Sequence, residues 1–196
     1  MVRERRIGVF GGTFDPPHVG HLVAAVNVAH QLGLDHVLFV VANVPWQKVG
    51  MREISREADR LAMVELAVDG REDLSASAIE NQRGGDSITA DTLEDLIPLY
   101  PDHDLVVILG SDAAAGVGTW KRGEDLKSLA RMAVVDRPGT TGKRPPEGFS
   151  YEVVPCPLMD ISSSDIRERS RANLPIDYMV PDAVREYIET RRLYRP

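Results

Sequence analysis

The chain has 196 residues, of which 43% are hydrophobic and 27% are charged, and its formal net charge is −7. This size and composition predict one globular domain over residues 1–196, and the negative charge argues against a general nucleic-acid binder. The one cysteine, Cys156, excludes an internal disulfide and a multi-cysteine metal site. The sequence has no apolar run of membrane-spanning length and no signal-peptide pattern, so we expect a cytoplasmic protein without membrane partners.

Apolar runs alternate with longer helical patterns along the chain. The predicted strands are Ile7–Phe10, His36–Val41, Leu74–Ala78, Asp104–Leu109, Met132–Asp136 and Tyr151–Pro155. The predicted helices are Gly20–Leu32, Ser55–Val68, Thr89–Leu99, Gly123–Leu129, Ser163–Arg171 and Pro181–Arg191, with Ser55 as an N-cap. This alternation predicts an α/β, Rossmann-like, doubly wound fold, with a mainly parallel sheet and helices on both faces. Ligands of such sheets bind beyond the carboxyl ends of the strands.

Residues 11–21 directly follow the first predicted strand and read Gly-Gly-Thr-Phe-Asp-Pro-Pro-His-Val-Gly-His. His18 and His21 are three residues apart at a predicted helix start, so they share one face of that helix. Helix N-termini attract anions, and the turn Gly11–Phe14 adds backbone donors and the Thr13 hydroxyl. The pattern therefore predicts a polyphosphate site. A helix cap beside a surface histidine is the alternative, which the strand–turn–helix context disfavours.

The phosphate site predicted here differs from the two common phosphate loops. The first strand is not followed by Gly-x-Gly-x-x-Gly, and the turn does not end in Gly-Lys-Ser/Thr. Rossmann dinucleotide sites and Walker-type sites are therefore disfavoured.

A second polar run, Ile161–Arg167, opens the helix that is predicted from Ser163 and reads Ile-Ser-Ser-Ser-Asp-Ile-Arg. The hydroxyl groups of Ser162 and Ser163, together with free backbone N–H groups, could hold another anion, with Arg167 one turn further along. The alternative is an ordinary N-cap followed by a solvated arginine.

Another candidate segment follows the second predicted strand and contains Asn43, Trp46 and Lys48. Lys48 could reach a phosphate, and Trp46 could stack on a ring. The alternative is an exposed loop with one hydrophobic anchor.

Two further candidate segments follow the fourth predicted strand and open the helix predicted from Thr89. Asp112, two residues after Gly110, could accept hydrogen bonds from a ribose, and Trp120 could face an aromatic base. The N–H groups at the helix start near Thr89 could bind a small carboxylate or phosphate. A helix cap and a core tryptophan explain the same residues equally well, so these two sites stay open at this point.

The runs 11–21 and 161–167 together resemble the adenylyltransferases of the nucleotidyltransferase superfamily, and most closely the bacterial nicotinate-nucleotide adenylyltransferases. That family typically shows a Pro-x-x-Lys loop, a Gly-x-Asp run followed by Trp, and an aromatic-Arg tail. The matching residues are Pro45 and Lys48; Gly110, Asp112 and Trp120; and Tyr194 and Arg195. The chain departs from the family at Gln47, Ile88 and Lys121, where many members carry histidine, tyrosine and an aromatic or neutral residue.

The resemblance implies an enzyme of NAD biosynthesis that converts ATP and nicotinate mononucleotide into nicotinate adenine dinucleotide and pyrophosphate. The phosphate of the mononucleotide attacks the α-phosphorus of ATP in line, without a covalent intermediate. Mg²⁺ is expected on the ATP phosphates and water, with no dedicated metal site on the protein. Nucleic acid is not expected as a partner, and a homo-oligomer is left open.

The resemblance also implies which residues form the site. The residues implied in catalysis are His18, His21, Lys48 and Arg167. The residues implied in ATP binding are Gly11, Gly12, Thr13, Phe14, Gly110, Asp112, Ile161, Ser162 and Ser163. The residues implied in mononucleotide binding are Asn43, Trp46, Lys48, Thr89 and Trp120.

Three other functions remain as alternatives. Nicotinamide mononucleotide or phosphopantetheine could be the acceptor, since related enzymes share the first motif. Cytidylyltransferases also share it but use a different second signature. A nucleotide-binding sensor without turnover is the remote alternative.

Overall fold

The computed structural model describes residues 5–45, 54–136 and 139–195. Its sheet is formed by β1 (Arg5–Gly12), β2 (His36–Val41), β3 (Leu74–Ser77), β4 (His103–Gly110), β5 (Arg131–Val135) and β6 (Tyr151–Val154). The six strands are all parallel, in the order β3-β2-β1-β4-β5-β6. The chain therefore has the α/β, doubly wound fold that the sequence predicted.

The helices connect the parallel strands and cover the sheet. They are α1 (Val19–Leu32), α2 (Glu57–Val68), α3 (Ile79–Arg83), α4 (Thr89–Leu96), α5 (Ser111–Ala115), α6 (Leu126–Leu129), α7 (Ser163–Arg171) and α8 (Asp182–Thr190). In the described ranges, none of them combines the length and the apolar composition that crossing a bilayer requires.

The two faces of the sheet have separate hydrophobic cores because successive strand residues point to opposite sides. On one face, Val28 of α1 and Val64 of α2 pack against β2 residues such as Phe39. On the other face, Leu93 of α4 and Leu126 of α6 pack against β1 and β4. A strand that is covered on both faces reads as a continuous apolar run, which explains why the sequence located the buried strands β2 and β4.

A third, smaller core joins α2, α7 and α8. It is built around Met63, Ile166 and Ile188, each fully buried. This core places the start of α7 against the segment that follows β1.

Several helix predictions were wrong in detail. The N-cap of α2 is Arg56, not Ser55, and it makes no side-chain capping bond. Two predicted helices are interrupted: α4 ends at Leu96 and a 3₁₀ turn continues over 97–99, while 123–125 form a 3₁₀ turn before α6. The helices α3 and α5 were missed because five residues are too few to show a helical period.

Candidate functional site

The carboxyl ends of β1 and β4 lie at the point where the strand order reverses, and two cavities open there. The larger cavity has a volume of about 710 Å³ and the smaller about 130 Å³. Both are lined by Gly11, Gly12, Thr13 and Trp120. The cavities are therefore neighbours that share one wall, in the crevice where doubly wound sheets bind ligands.

The two histidines of the first motif lie face to face on the wall of the larger cavity. Their ring centroids are 3.7 Å apart and the ring planes are inclined by 29°. His18 is the N-cap of α1 and is only 4% exposed, whereas His21 is partly exposed. The spacing predicted this convergence.

A backbone hydrogen bond orients the His21 ring. The N–H of His18 donates to Nδ1 of His21 at 3.2 Å. A neutral ring then carries its hydrogen on Nε2, the nitrogen that can donate to a phosphate oxygen. The ring is also held edge-on against Phe14, at a centroid distance of 5.1 Å.

The turn after β1 is tightly packed. The Phe14 ring lies over Gly12, where an added Cβ would come within 2.7 Å of it. Phe14 has a φ of 48°, in the left-handed region, and the following Asp15–Pro16 peptide bond is cis. Phe14 is itself buried. Position 12 must therefore be glycine for the turn to close over the phenyl ring.

The second motif has the capping role that was its alternative interpretation, and it also lies on the wall of the larger cavity. Ser162 caps α7 by accepting a hydrogen bond from the N–H of Asp165 at 3.1 Å. The Ser163 hydroxyl donates to the carbonyl of Pro16 at 2.9 Å. The Ser163 bond joins the start of α7 to the first motif.

Arg167 is buried, not solvated as the alternative interpretation supposed. It is 6% exposed, and its Nη1 donates to the carbonyl of Asp15 at 2.8 Å. Its Nη2 donates to the Ser164 hydroxyl at 3.0 Å. The guanidinium therefore places a positive charge against the first motif, on the wall of the larger cavity.

The carboxylate of Asp15 connects the first motif to the C-terminal segment. Its Oδ1 accepts a hydrogen bond from the Tyr194 hydroxyl at 2.8 Å. Burial and the adjacent Asp15 charge raise the pKa of Tyr194 well above its usual value. Tyr194 is thus a neutral donor throughout the physiological range, so this link does not change with pH there.

The smaller cavity lies between the strand ends and the start of α4. Ile88 and Thr89 line one side and Trp120 lines another, with Glu80 and Lys121 also on the wall. Its lining is largely apolar with a few polar groups, a composition typical of small-ligand sites.

Lys121 lines the smaller cavity, and exposed ion pairs hold it and the following Arg122. Lys121 Nζ lies 2.6 Å from Asp86 Oδ2. Arg122 pairs with Asp91 and Glu94 of α4, and hydrogen bonds from its guanidinium to these carboxylates raise the pKa of Arg122. The segment after Trp120 is therefore held to α4 by charges that face solvent.

The structure brings most of the predicted site residues to the two cavities. The larger cavity is lined by Gly11, Gly12, Thr13, Phe14, His18, His21, Gly110, Asp112, Trp120, Ile161, Ser162, Ser163 and Arg167. Thr89 lines the smaller cavity. The side-chain amide of Asn43 donates a hydrogen bond to the carbonyl of Gly85 at 2.9 Å. Trp46, Gln47 and Lys48 lie outside the described residues.

Sequence reasoning missed Arg60, which is 1% exposed and lies behind the first motif. Its guanidinium donates to the backbone carbonyls of Thr13, Ala42, Asn43 and Ser55. The available signal was a charge on the buried side of α2, four residues before the buried Val64.

Within residues 5–45, 54–136 and 139–195, no group of three or more His, Cys, Asp or Glu side chains is arranged to hold a metal ion. The donor set around the larger cavity consists of imidazole, hydroxyl and guanidinium groups, which suit phosphate oxygens. A hard divalent cation prefers oxygen ligands and would find them on a bound polyphosphate.

The chain is similar to known proteins over most of its length. Residues 9–169 match the family model described as cytidylyltransferase-like. A Corynebacterium kroppenstedtii protein named "probable nicotinate-nucleotide adenylyltransferase" is 45% identical, over 97% of this chain and 92% of its own length. A Streptomyces coelicolor protein with the same name is 47% identical, over 94% of this chain and 98% of its own.

Solved structures show the same fold. The nicotinic acid mononucleotide adenylyltransferase of Plasmodium falciparum, complexed with NaAD, superposes with a TM-score of 0.77. It covers 97% of each chain at 19% identity. The identities of the bacterial relatives over nearly full length show that the chain belongs to the nicotinate-nucleotide adenylyltransferases, the nucleotidyltransferases of NAD biosynthesis that its two motifs resemble.

Proposed function

We propose that the two cavities are the two substrate halves of one active site, with ATP in the larger and nicotinate mononucleotide in the smaller. The reaction is adenylyl transfer from ATP to the mononucleotide. The observation that carries the arrangement is the shared wall, Gly11–Thr13 and Trp120, which belongs to both cavities. These shared residues border both cavities. A triphosphate in one cavity and an acceptor phosphate in the other would therefore come close together next to them.

The phosphates of ATP are assigned to the first and second motifs. His18 and His21 donate to phosphate oxygens, and Thr13 adds a hydroxyl. The start of α7, with Ser162 and Ser163, holds the outer phosphates together with the positive charge of Arg167. The support is that all these residues line the larger cavity and that helix N-termini favour anions.

The remaining groups are assigned by position. Asp112 is exposed beside the larger cavity and accepts hydrogen bonds from the ATP ribose. Trp120 stacks on the pyridine ring, and backbone N–H groups near Thr89 meet its carboxylate. Roles for Asn43, Trp46 and Lys48 at the mononucleotide phosphate stay predictions.

The chemistry needs neither a nucleophilic side chain nor a strong base on the protein, because a phosphate dianion is already a competent nucleophile. The protein must hold two anions in line and stabilise the charge that develops on the α-phosphate and the leaving pyrophosphate. ATP enters with its Mg²⁺ as the substrate, and that ion neutralises charge on the phosphate oxygens. We expect this reaction to take place in the cytoplasm.

The test is pyrophosphate release from ATP with nicotinate mononucleotide, nicotinamide mononucleotide and phosphopantetheine in parallel. The proposal expects turnover with the nicotinate compound and a lower kcat/KM with the other two. ATP binding by calorimetry, without release of pyrophosphate from ATP in the presence of any of the three acceptors, would favour the sensor and contradict the proposal.

A further inference from the structure

We infer that Arg60 is a positioning residue that sets the distance between the two substrate cavities. Its guanidinium contacts three chain segments at once. Nη1 donates to the carbonyl of Thr13 at 3.0 Å and to that of Ala42 at 2.6 Å. Nε donates to the carbonyl of Ser55 at 2.9 Å. The inference rests on the proposed function for the identity of the two substrates.

Two of the three contacted segments line the cavities. Thr13 belongs to the wall shared by the two cavities, and Ala42 lines the smaller one. Nη2 also donates to the carbonyl of Asn43 at 3.1 Å, and the Asn43 side chain in turn donates to Gly85. Arg60 therefore connects the turn after β1, the turn after β2 and the loop before α4.

Arginine suits this task better than lysine. A guanidinium is a rigid planar fork with five N–H donors, so it can hold several carbonyls in fixed relative positions. A lysine ammonium is a point charge on a flexible stem, and it would hold fewer of them at a time. Because Arg60 is almost completely buried, its fork has little freedom to move.

The carbonyl oxygens of Thr13 and Ala42 both accept hydrogen bonds from the buried Arg60. Their bonds to a buried cation hold them on the α2 side of the turn. Arg167 does the same for the neighbouring carbonyl of Asp15 from the α7 side. Loss of the Arg60 bonds is therefore expected to displace the turn relative to both substrates.

Displacement of reacting groups affects the rate at saturation more than binding. A misplacement of about 1 Å can cost on the order of 100-fold in rate. We expect Arg60→Lys and Arg60→Met to lower kcat by about 10- to 100-fold. The KM values for ATP and for the mononucleotide should change by less than about threefold, because each cavity keeps its own contacts.

The matched control is Val68→Ala, which removes buried volume at the other end of α2 without touching a polar contact of either cavity. It should lower the unfolding midpoint and leave kcat unchanged. The experiment measures kcat, both KM values and the unfolding midpoint for all variants. If Arg60→Met does not fold, the inference is tested with Arg60→Lys, which keeps the charge and nearly the length of the side chain.

A kcat of Arg60→Lys within about twofold of wild type would overturn the inference. So would a loss of kcat in Val68→Ala as large as that in Arg60→Lys, because kcat would then follow stability alone. Wild-type turnover is measured first. Its absence would contradict the proposed function, whereas normal wild-type turnover with an unimpaired Arg60→Lys variant would overturn only the role of Arg60.

Discussion

The turn after β1 and the rim of the smaller cavity are held in opposite ways. In the turn, Thr13, Asp15 and His18 are buried, and two buried arginines hold its carbonyl groups. At the rim, the ion pairs of Lys121 and Arg122 face solvent. Buried hydrogen bonds to charged groups fix geometry strongly, whereas exposed ion pairs contribute little. We therefore expect the turn after β1 to be rigid and the rim of the smaller cavity to be adjustable.

Removal of the His21 imidazole, which we propose as a transition-state donor, should have the largest effect. His21→Ala should lower kcat by about 10²- to 10³-fold, because one donor to the developing charge is lost. Steady-state turnover at saturating substrates measures this, with circular dichroism to check folding. Turnover near the wild-type value would remove His21 from the catalytic machinery.

The second motif should affect binding before it affects rate. Arg167→Ala should weaken ATP affinity by about 10-fold or more, because a charged donor and its contact with the first motif are both lost. Calorimetric titration with ATP measures the change. Arg171→Ala, an exposed arginine on the same helix, is the control and should bind normally. An unchanged affinity in Arg167→Ala would mean that the second motif does not contribute to ATP binding.

Asp59 of α2 contacts α8, and its substitution should affect the stability of the fold and the pH dependence of that stability. Asp59 accepts hydrogen bonds from Arg56, Tyr187 and Arg191. Burial favours the protonated carboxyl, but these bonds outweigh it, so the pKa of Asp59 lies below its usual value. Asp59→Asn should therefore lower the free energy of unfolding by about 1–2 kcal/mol at pH 7.

The lowered pKa of Asp59 determines how its contribution to stability changes with pH. The contribution is present above the unfolded-state pKa of about 4 and is lost as the pH falls through the folded-state value. Urea unfolding at a series of pH values should show the difference between wild type and Asp59→Asn narrowing below about pH 4. The exposed Glu65→Gln on the same helix is the control. A difference that stays constant down to the lowest pH would contradict the role of the charge.

The adjustable rim should give the smallest effect. Lys121→Ala should change the KM for nicotinate mononucleotide by at most about fivefold, since an exposed pair is worth roughly 0–1 kcal/mol. An unchanged KM for ATP in the same variant would show that the effect is confined to the smaller cavity. A loss of activity in Lys121→Ala as large as that in His21→Ala would mean that the rim is not adjustable. It would contradict the proposed difference between the turn after β1 and the rim.

The sequence predicted the strands and the motifs well because each is a local signal. Apolar runs marked β2 and β4, and the spacing of His18 and His21 placed two rings on one face. It could not predict the buried roles of Arg60 and Arg167. Their carbonyl partners, Thr13 and Asp15, are 47 and 152 residues away along the chain, so only the folded chain brings them together.

The central claim is that a nucleoside triphosphate binds with its phosphates against the His18–His21 pair. A crystal structure with a non-hydrolysable ATP analogue tests this most directly. The account predicts phosphate oxygens within about 3 Å of a ring nitrogen of His21, with the start of α7 on the outer phosphates. A triphosphate bound elsewhere, with neither imidazole in contact with it, would contradict the account.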